Sequence, residues 1–307
     1  MTAVPTPTRR RTLDPDRVPA ATARRFLSAD VKTGPVAASA TRSSDAVPVT
    51  TWLPSGPPDQ GGTCPGASSW CWPDGKMRCY AGRLETGRPA LGRLARWRLD
   101  TWEALDHADR ADLAAAILRH AWRAQVEPHP RAPHAGHPVA RPVVRLGGGG
   151  DIPTAADGTT WRRALAWAVD HLPGLTVWLY SRAYGVEGQA DPLGPLADAY
   201  TSGALPNLAP YLSTDPAMLD RTAAALAGRY QALPVAVLAP TADDGRRILA
   251  DLGRTSRPTL CPVDRPRRPL PLAVRRPSDP HHRGACHVCG ACWSRPARLP
   301  DVLFPAR

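Results

Sequence analysis

A chain of 307 residues with 43% hydrophobic side chains can bury a substantial core, which excludes a disordered chain or a small disulfide scaffold. The formal net charge of +12 favours nucleic acid or acidic surfaces as partners, although the arginines are dispersed enough to serve solubility alone. No apolar run approaches bilayer length, and the N-terminal "MTAVPTPTRRRTLDPDR" lacks a signal-peptide core, so no membrane partner and a cytoplasmic location are expected, where clustered cysteines are metal ligands rather than disulfides.

Residues 1–44 are rich in Pro, Arg, Ala, Ser and Thr without a steady period, and predict a mobile arm. "VPVTTWL" (47–53) is β-branched and stopped by "PSGPP", which predicts a strand. "GGTCPGASSWCWPDGKMRCYAG" (61–82) follows, with three of the seven cysteines. A closed structural metal site needs four ligands and a set of internal disulfides needs an even number. Cys64, Cys71 and Cys79 therefore either leave one metal position open for a small molecule, or borrow a fourth ligand such as Asp74 or a distant His for a structural zinc.

"DTWEALDHADRADLAAAILRHAWR" (100–123) places Trp102, Leu105, Leu113, Ile117 and Ala121 on one helical face, with Asp100 and Glu103 in capping-box spacing. "EPHPRAPHAGHP" ends that helix, and the histidines around it (120, 129, 134, 137) have no coherent metal spacing. A βα rhythm then sets in. Strands are predicted at 142–148, 175–182, 208–214, 234–240 and 258–262, and helices at 159–172, about 193–201, 215–231 and 242–253. Asp215 has an N-cap role, with Pro216 at the first helical position.

Strand starts recur roughly every thirty residues, the size of a βα unit. The predicted fold class is α/β: an incomplete parallel (β/α) barrel over 45–255, with a cysteine-rich C-terminal extension over 256–307. Right-handed crossovers bring all strand C-termini to one rim. The cysteine stretch, "GGGGD", "YSR" and "STD" each follow a strand and share that rim, where Arg182 is placed to meet a carboxylate or phosphate. "GGGG" lacks the Lys-Ser/Thr of a phosphate loop.

In the tail, Cys286, Cys289 and Cys292 form a C-x2-C-x2-C run with Cys261 upstream. The run has the spacing of cubane ligand sets, and zinc is the rival, with His281, His282 or His287 able to replace Cys261. The segment has too few core residues to fold alone without a metal.

"TCPGASSWC…CYAG", "VVRLGGGGD", "VWLYSR", "STD" and "CHVCGACW", in that order over about residues 30–295, resemble the gene product 88 domain family of actinobacterial phages and their hosts. More broadly, a cysteine triad after the first strand, ending "CYA" on an incomplete β/α barrel, resembles the radical S-adenosylmethionine superfamily. That resemblance implies a 4Fe-4S cluster on Cys64, Cys71 and Cys79, whose open iron takes S-adenosylmethionine. An external electron donor would trigger its cleavage to a radical acting on an unknown substrate. It implies that Tyr80 is the aromatic residue after the last cysteine, and that Gly148, Gly149, Gly150 and Asp151 line the methionine end of the cofactor. Cys261, Cys286, Cys289 and Cys292 would hold a second 4Fe-4S cluster or zinc. The superfamily's usual triad is tighter, C-x3-C-x2-C, and its usual acid is Glu. The competing expectation is a metal-stabilised nucleic-acid-binding protein without enzymatic activity.

Overall fold

Short runs of Val, Leu, Thr and aromatic residues, bounded by Pro and Gly, build the sheet in the computed structural model. It describes residues 12–29, 35–36, 48–71, 73, 79–127, 142–261, 273–274, 282–284, 291–293 and 296–305. In chain order the elements are α1 (Ala20–Arg25), β1 (Leu27–Ala29), β2 (Pro35–Val36), β3 (Pro48–Trp52), α2 (Tyr80–Gly87), α3 (Pro89–Glu103), α4 (His107–Val126), β4 (Val143–Gly149), α5 (Ala155–His171), β5 (Thr176–Ser181), α6 (Gly194–Thr201), β6 (Leu208–Thr214), α7 (Leu219–Ala227), β7 (Val235–Ala239), α8 (Ala242–Asp251), β8 (Thr259–Leu260), β9 (Ala273–Val274), β10 (His282–Gly284) and β11 (Val302–Pro305).

Eight strands form one sheet in the order β1-β3-β4-β5-β6-β7-β11-β8, and β2, β10 and β9 form a second, small one. The large sheet is parallel throughout except where β1 runs antiparallel to β3. From β3 to β7 the strands lie side by side in sequence order. Right-handed crossovers in such an order send every intervening helix to the same face. On that face Val144, Leu146, Val177, Leu179, Leu212 and Val237 pack with Leu113, Ile117, Leu165, Leu196 and Leu249 in the main core. The alternate residues point the other way: Val143, Trp178 and Ala209 meet Trp293, while Tyr211, Ala236 and Val302 meet Cys261. Both faces are thus apolar and covered, as a parallel sheet requires.

The expected α/β class is present as an eight-stranded, mostly parallel sheet with β1 and β8 at its edges. The segment after 255 differs from a separate extension, because β11 pairs with both β7 and β8 and so completes the sheet. Asp301 fixes it there: the buried carboxylate accepts from the Val235 N–H at 2.7 Å and from the Arg254 guanidinium at 3.0 Å. The expected arm over 1–44 also differs in part. Phe26 and Leu27 are buried in the main core. The Arg98 guanidinium, from α3, donates to Arg25 O (2.6 Å), Leu27 O (3.0 Å), Ser28 Oγ (3.0 Å) and Trp52 O (3.1 Å).

The single helix expected over 100–123 is two. Asp106 accepts from the Asp109 N–H at 2.8 Å and so caps a new start at α4, while Asp100 lies inside α3 and caps nothing. Among the described residues no helix is long and apolar enough to cross a membrane.

Candidate functional site

The loop that carries the three cysteines leaves β3 and returns into α2, and its ends are tied together by one acid. Glu85 of α2 accepts from Trp52 Nε1 (2.7 Å), Ser55 Oγ (2.7 Å) and the Ser55 N–H (3.1 Å). Within the loop, the Cys64 N–H donates to Gly56 O at 2.9 Å and the Cys79 N–H donates to Cys71 O at 3.1 Å. Thr63 Oγ1 donates to Pro54 O at 2.9 Å. The loop lies directly on the end of β5: a Cβ on Gly66 would sit 1.7 Å from the Arg182 carbonyl oxygen, and Arg221 donates to Gly66 O at 3.0 Å.

This geometry brings Cys64, Cys71 and Cys79 into one another's electrostatic range. Burial pushes the Cys64 thiol up, and the charge of Asp151 and the neighbouring Cys79 and Cys71 add to it, against a backbone hydrogen bond from Gly56. Burial also pushes Cys71 up; Cys79 and Asp215 add to this, while the Arg182 cation and the Ser68 hydroxyl oppose it. Thiols in this state stay neutral unless a cation is supplied, and a bound metal deprotonates them. Among the described residues, no three His, Cys, Asp or Glu side chains are gathered as one metal ion requires.

The residues singled out at the strand ends serve one another. Asp151 accepts from Ser181 Oγ (2.8 Å), the Ile152 N–H (2.8 Å) and the Arg182 N–H (2.7 Å), which joins the ends of β4 and β5. Burial raises its pKa against those three bonds and the Arg182 charge. Arg182 forms an ion pair with the buried Asp215 and donates to Ser68 Oγ at 2.9 Å. Ser68 Oγ also donates to Asp215 at 2.6 Å. Arg182 therefore meets an internal carboxylate, beside Cys71. Asp215 does cap the next turn, accepting from the Ala217 N–H at 2.8 Å.

The glycine run has an internal explanation too. A Cβ on Gly148 would meet Thr50 at 2.2 Å, and one on Gly149 would meet the Trp52 ring at 2.3 Å. Gly150 has φ +73°, and a Cβ there would lie 2.3 Å from Thr63 Oγ1. These glycines let β4 pack against the side chains of β3 and the base of the cysteine loop. Tyr80 is the first residue of α2, with its side chain outside the described set.

Of the tail cysteines, Cys261 is buried and Cys292 packs in the same cluster on the sheet face away from the helices, with Tyr211 and Val302. The Tyr180 hydroxyl donates to Cys292 Sγ at 2.8 Å. Cys286, Cys289, His281, His287 and Asp74 lie outside the described residues, and His282 is described only as part of the β10 backbone. Sequence reasoning missed Glu85, Ser68 and Tyr180. Only Tyr180 carries a signal, because it alternates with Trp178 along β5 and so shares its face.

No curated protein and no solved structure matches the chain. The family model described as "Gene product 88" matches residues 27–295, from β1 through the cysteine loop and the parallel core to the tail cysteines. With nearly the whole length matched, the chain belongs to the gene product 88 family.

Proposed function

We propose that the protein is an iron–sulfur enzyme of the radical S-adenosylmethionine type, with its cluster on Cys64, Cys71 and Cys79. The observation that carries this reading is a set of three half-buried thiols in one loop, which follows parallel strand β3, packs on the end of β5 and holds them within one another's electrostatic range. A cubane binds each cysteine through a different iron at roughly 2.3 Å, so its sulfurs stand about 7 Å apart. Loosely gathered thiols suit such a cluster better than a single ion. Arg182 supplies positive charge beside Cys71, which favours the thiolate. Cys64, Cys71 and Cys79 would hold the cluster, which would bind S-adenosylmethionine at its open iron and, once reduced by an external electron donor, would supply the one electron that cleaves it. Asp151 has its carboxylate engaged by three donors, so its part is to hold the rim in shape.

The test is anaerobic purification followed by visible spectroscopy, iron and sulfide analysis, and S-adenosylmethionine titration. A brown protein that loses about four irons in Cys64→Ser and binds S-adenosylmethionine only with the cluster intact supports the proposal. A colourless zinc protein with salt-dependent affinity for nucleic acid overturns it in favour of the reading that the +12 charge supports.

A further inference from the structure

We infer that the cleft beside the cysteine loop binds a short zwitterionic peptide, with its carboxylate at Arg96 and its ammonium group at Glu103. The inference deepens the proposed function by naming a substrate class; it rests on that reading for the role of the ligand and not for its binding. The cleft holds about 520 Å³, within the range of small-molecule sites. Its walls are the cysteine loop at 61–63, the face of α3 with Arg96, Leu99 and Glu103, and the turn into α5 at Pro153. Those three α3 residues follow one another at i, i+3 and i+7, so they form one stripe, with a charge at each end and an apolar side chain between. About two helical turns separate the charges, or about 10 Å along the axis. A single amino acid is too short to span them. Extended chain advances about 3.3–3.6 Å per residue, so the two termini of a tripeptide match the separation. Gln189 lines the same cleft and offers a side-chain amide to the peptide backbone between them. Arg96 donates through Nη2 to Gly61 O, which sets the guanidinium against the loop and leaves its other N–H groups for a ligand. Among the described residues the Glu103 side chain has no hydrogen bond or ion pair; only its backbone carbonyl is engaged, by Arg110. A nucleic-acid strand fits this cleft less well, because Glu103 would repel its phosphates. The loop wall ends at Thr63, next in the chain to Cys64, so a peptide in the cleft lies against the loop that carries the thiols.

The test uses the full chain and, as probe, the tripeptide Gly-Leu-Gly with free termini, titrated by calorimetry. Saturable binding is expected. Acetylating the amino terminus and amidating the carboxyl terminus should each weaken it by about 3-fold, a modest factor because Arg96 and Glu103 are both exposed. Glu103→Gln should erase the difference between free and acetylated peptide and keep the difference between free and amidated peptide. Arg96→Gln, which keeps a donor for Gly61 O, should do the reverse. A merely structural role for either residue would weaken all three peptides alike, and that pattern overturns the inference. So does the absence of binding, or binding indifferent to both modifications. If Arg96→Gln fails to fold, Glu103→Gln decides alone, because its exposed side chain holds nothing else in place among the described residues. An iron-free protein that binds the peptides in this pattern supports the cleft and removes only the cluster reading. An iron-loaded protein that ignores them overturns the cleft and leaves that reading standing.

Discussion

Arg98 takes a positive charge into the interior and finds only neutral oxygens there: three carbonyls and one hydroxyl. Burial lowers its pKa to about 10, so the guanidinium remains charged at neutral pH. The four bonds fit the fork of an arginine and hold β1 and the end of β3 together. Arg98→Met should cost about 3 kcal/mol in urea unfolding, because each acceptor loses a charged donor inside the core. Arg98→Lys should recover little of it, because a single ammonium cannot reach all four oxygens. The glycine run gives a second prediction at this scale. Gly149→Ala, with Trp52 in the way, should cost about 1–3 kcal/mol. Gly87→Ala, with nothing within 4 Å, should stabilise by about 0.4–1 kcal/mol. Thermal melts of the two variants separate a packing need for glycine from a general one. The sequence shows that a run of glycines must lie close to something. It does not show that Thr50 and Trp52 are what they lie against, because that depends on β3 and β4 pairing across ninety-odd residues of chain.

Elements were legible where the local pattern and the tertiary fold agree. β4 to β7 fall within a residue or so of the predicted spans, since buried parallel strands are continuous apolar runs between turn signals. β11 was not legible: "VLFP" is four residues in a Pro- and Arg-rich stretch, and nothing local says that it enters a sheet. What places it is Asp301, whose carboxylate reaches the Val235 N–H, Arg254 and Ser256. Asp301→Ala leaves a buried N–H and a guanidinium without their acceptor. It should cost about 3 kcal/mol, at the low end for a broken buried pair because Arg254 is partly exposed. The same variant should loosen β11 and admit trypsin after about residue 255, read by mass spectrometry of the limited digest. The cysteine loop stands out in the sequence as a candidate because three thiols in one loop are conspicuous. Its closure was not legible, because Glu85, Arg182 and Asp215 reach it from separate places in the sequence.

At the scale of the molecule, the described part of the tail shares packing and strand pairing with the βα core. Trp178, Tyr211 and Val143 are covered on the face away from the helices by residues after 255. Removing 256–307 would uncover them and turn β7 into a bare edge. A chain cut at 255 should therefore aggregate, seen as loss of the monomer peak in size exclusion, instead of behaving as a stable core. The triple Cys→Ser variant at 286, 289 and 292 is milder. On the expectation that the tail cysteines bind metal, it should lower the metal content while circular dichroism persists, and equal metal content to wild type would dissociate the tail from metal binding.

The insertion of β11 between β7 and β8 also bears on how the chain is made. The Val235 N–H waits for the Asp301 carboxylate, sixty-six residues later in the chain. At about 5–20 residues per second that is a delay on the order of 3–13 s, during which β7 is an exposed apolar edge beside a sheet already able to form from β3 onward. β8 emerges within that interval and is the wrong neighbour: if it paired with β7 early, it would have to be displaced. Its two-residue length keeps such a pairing weak and reversible, which leaves the slot open for the strand that arrives last.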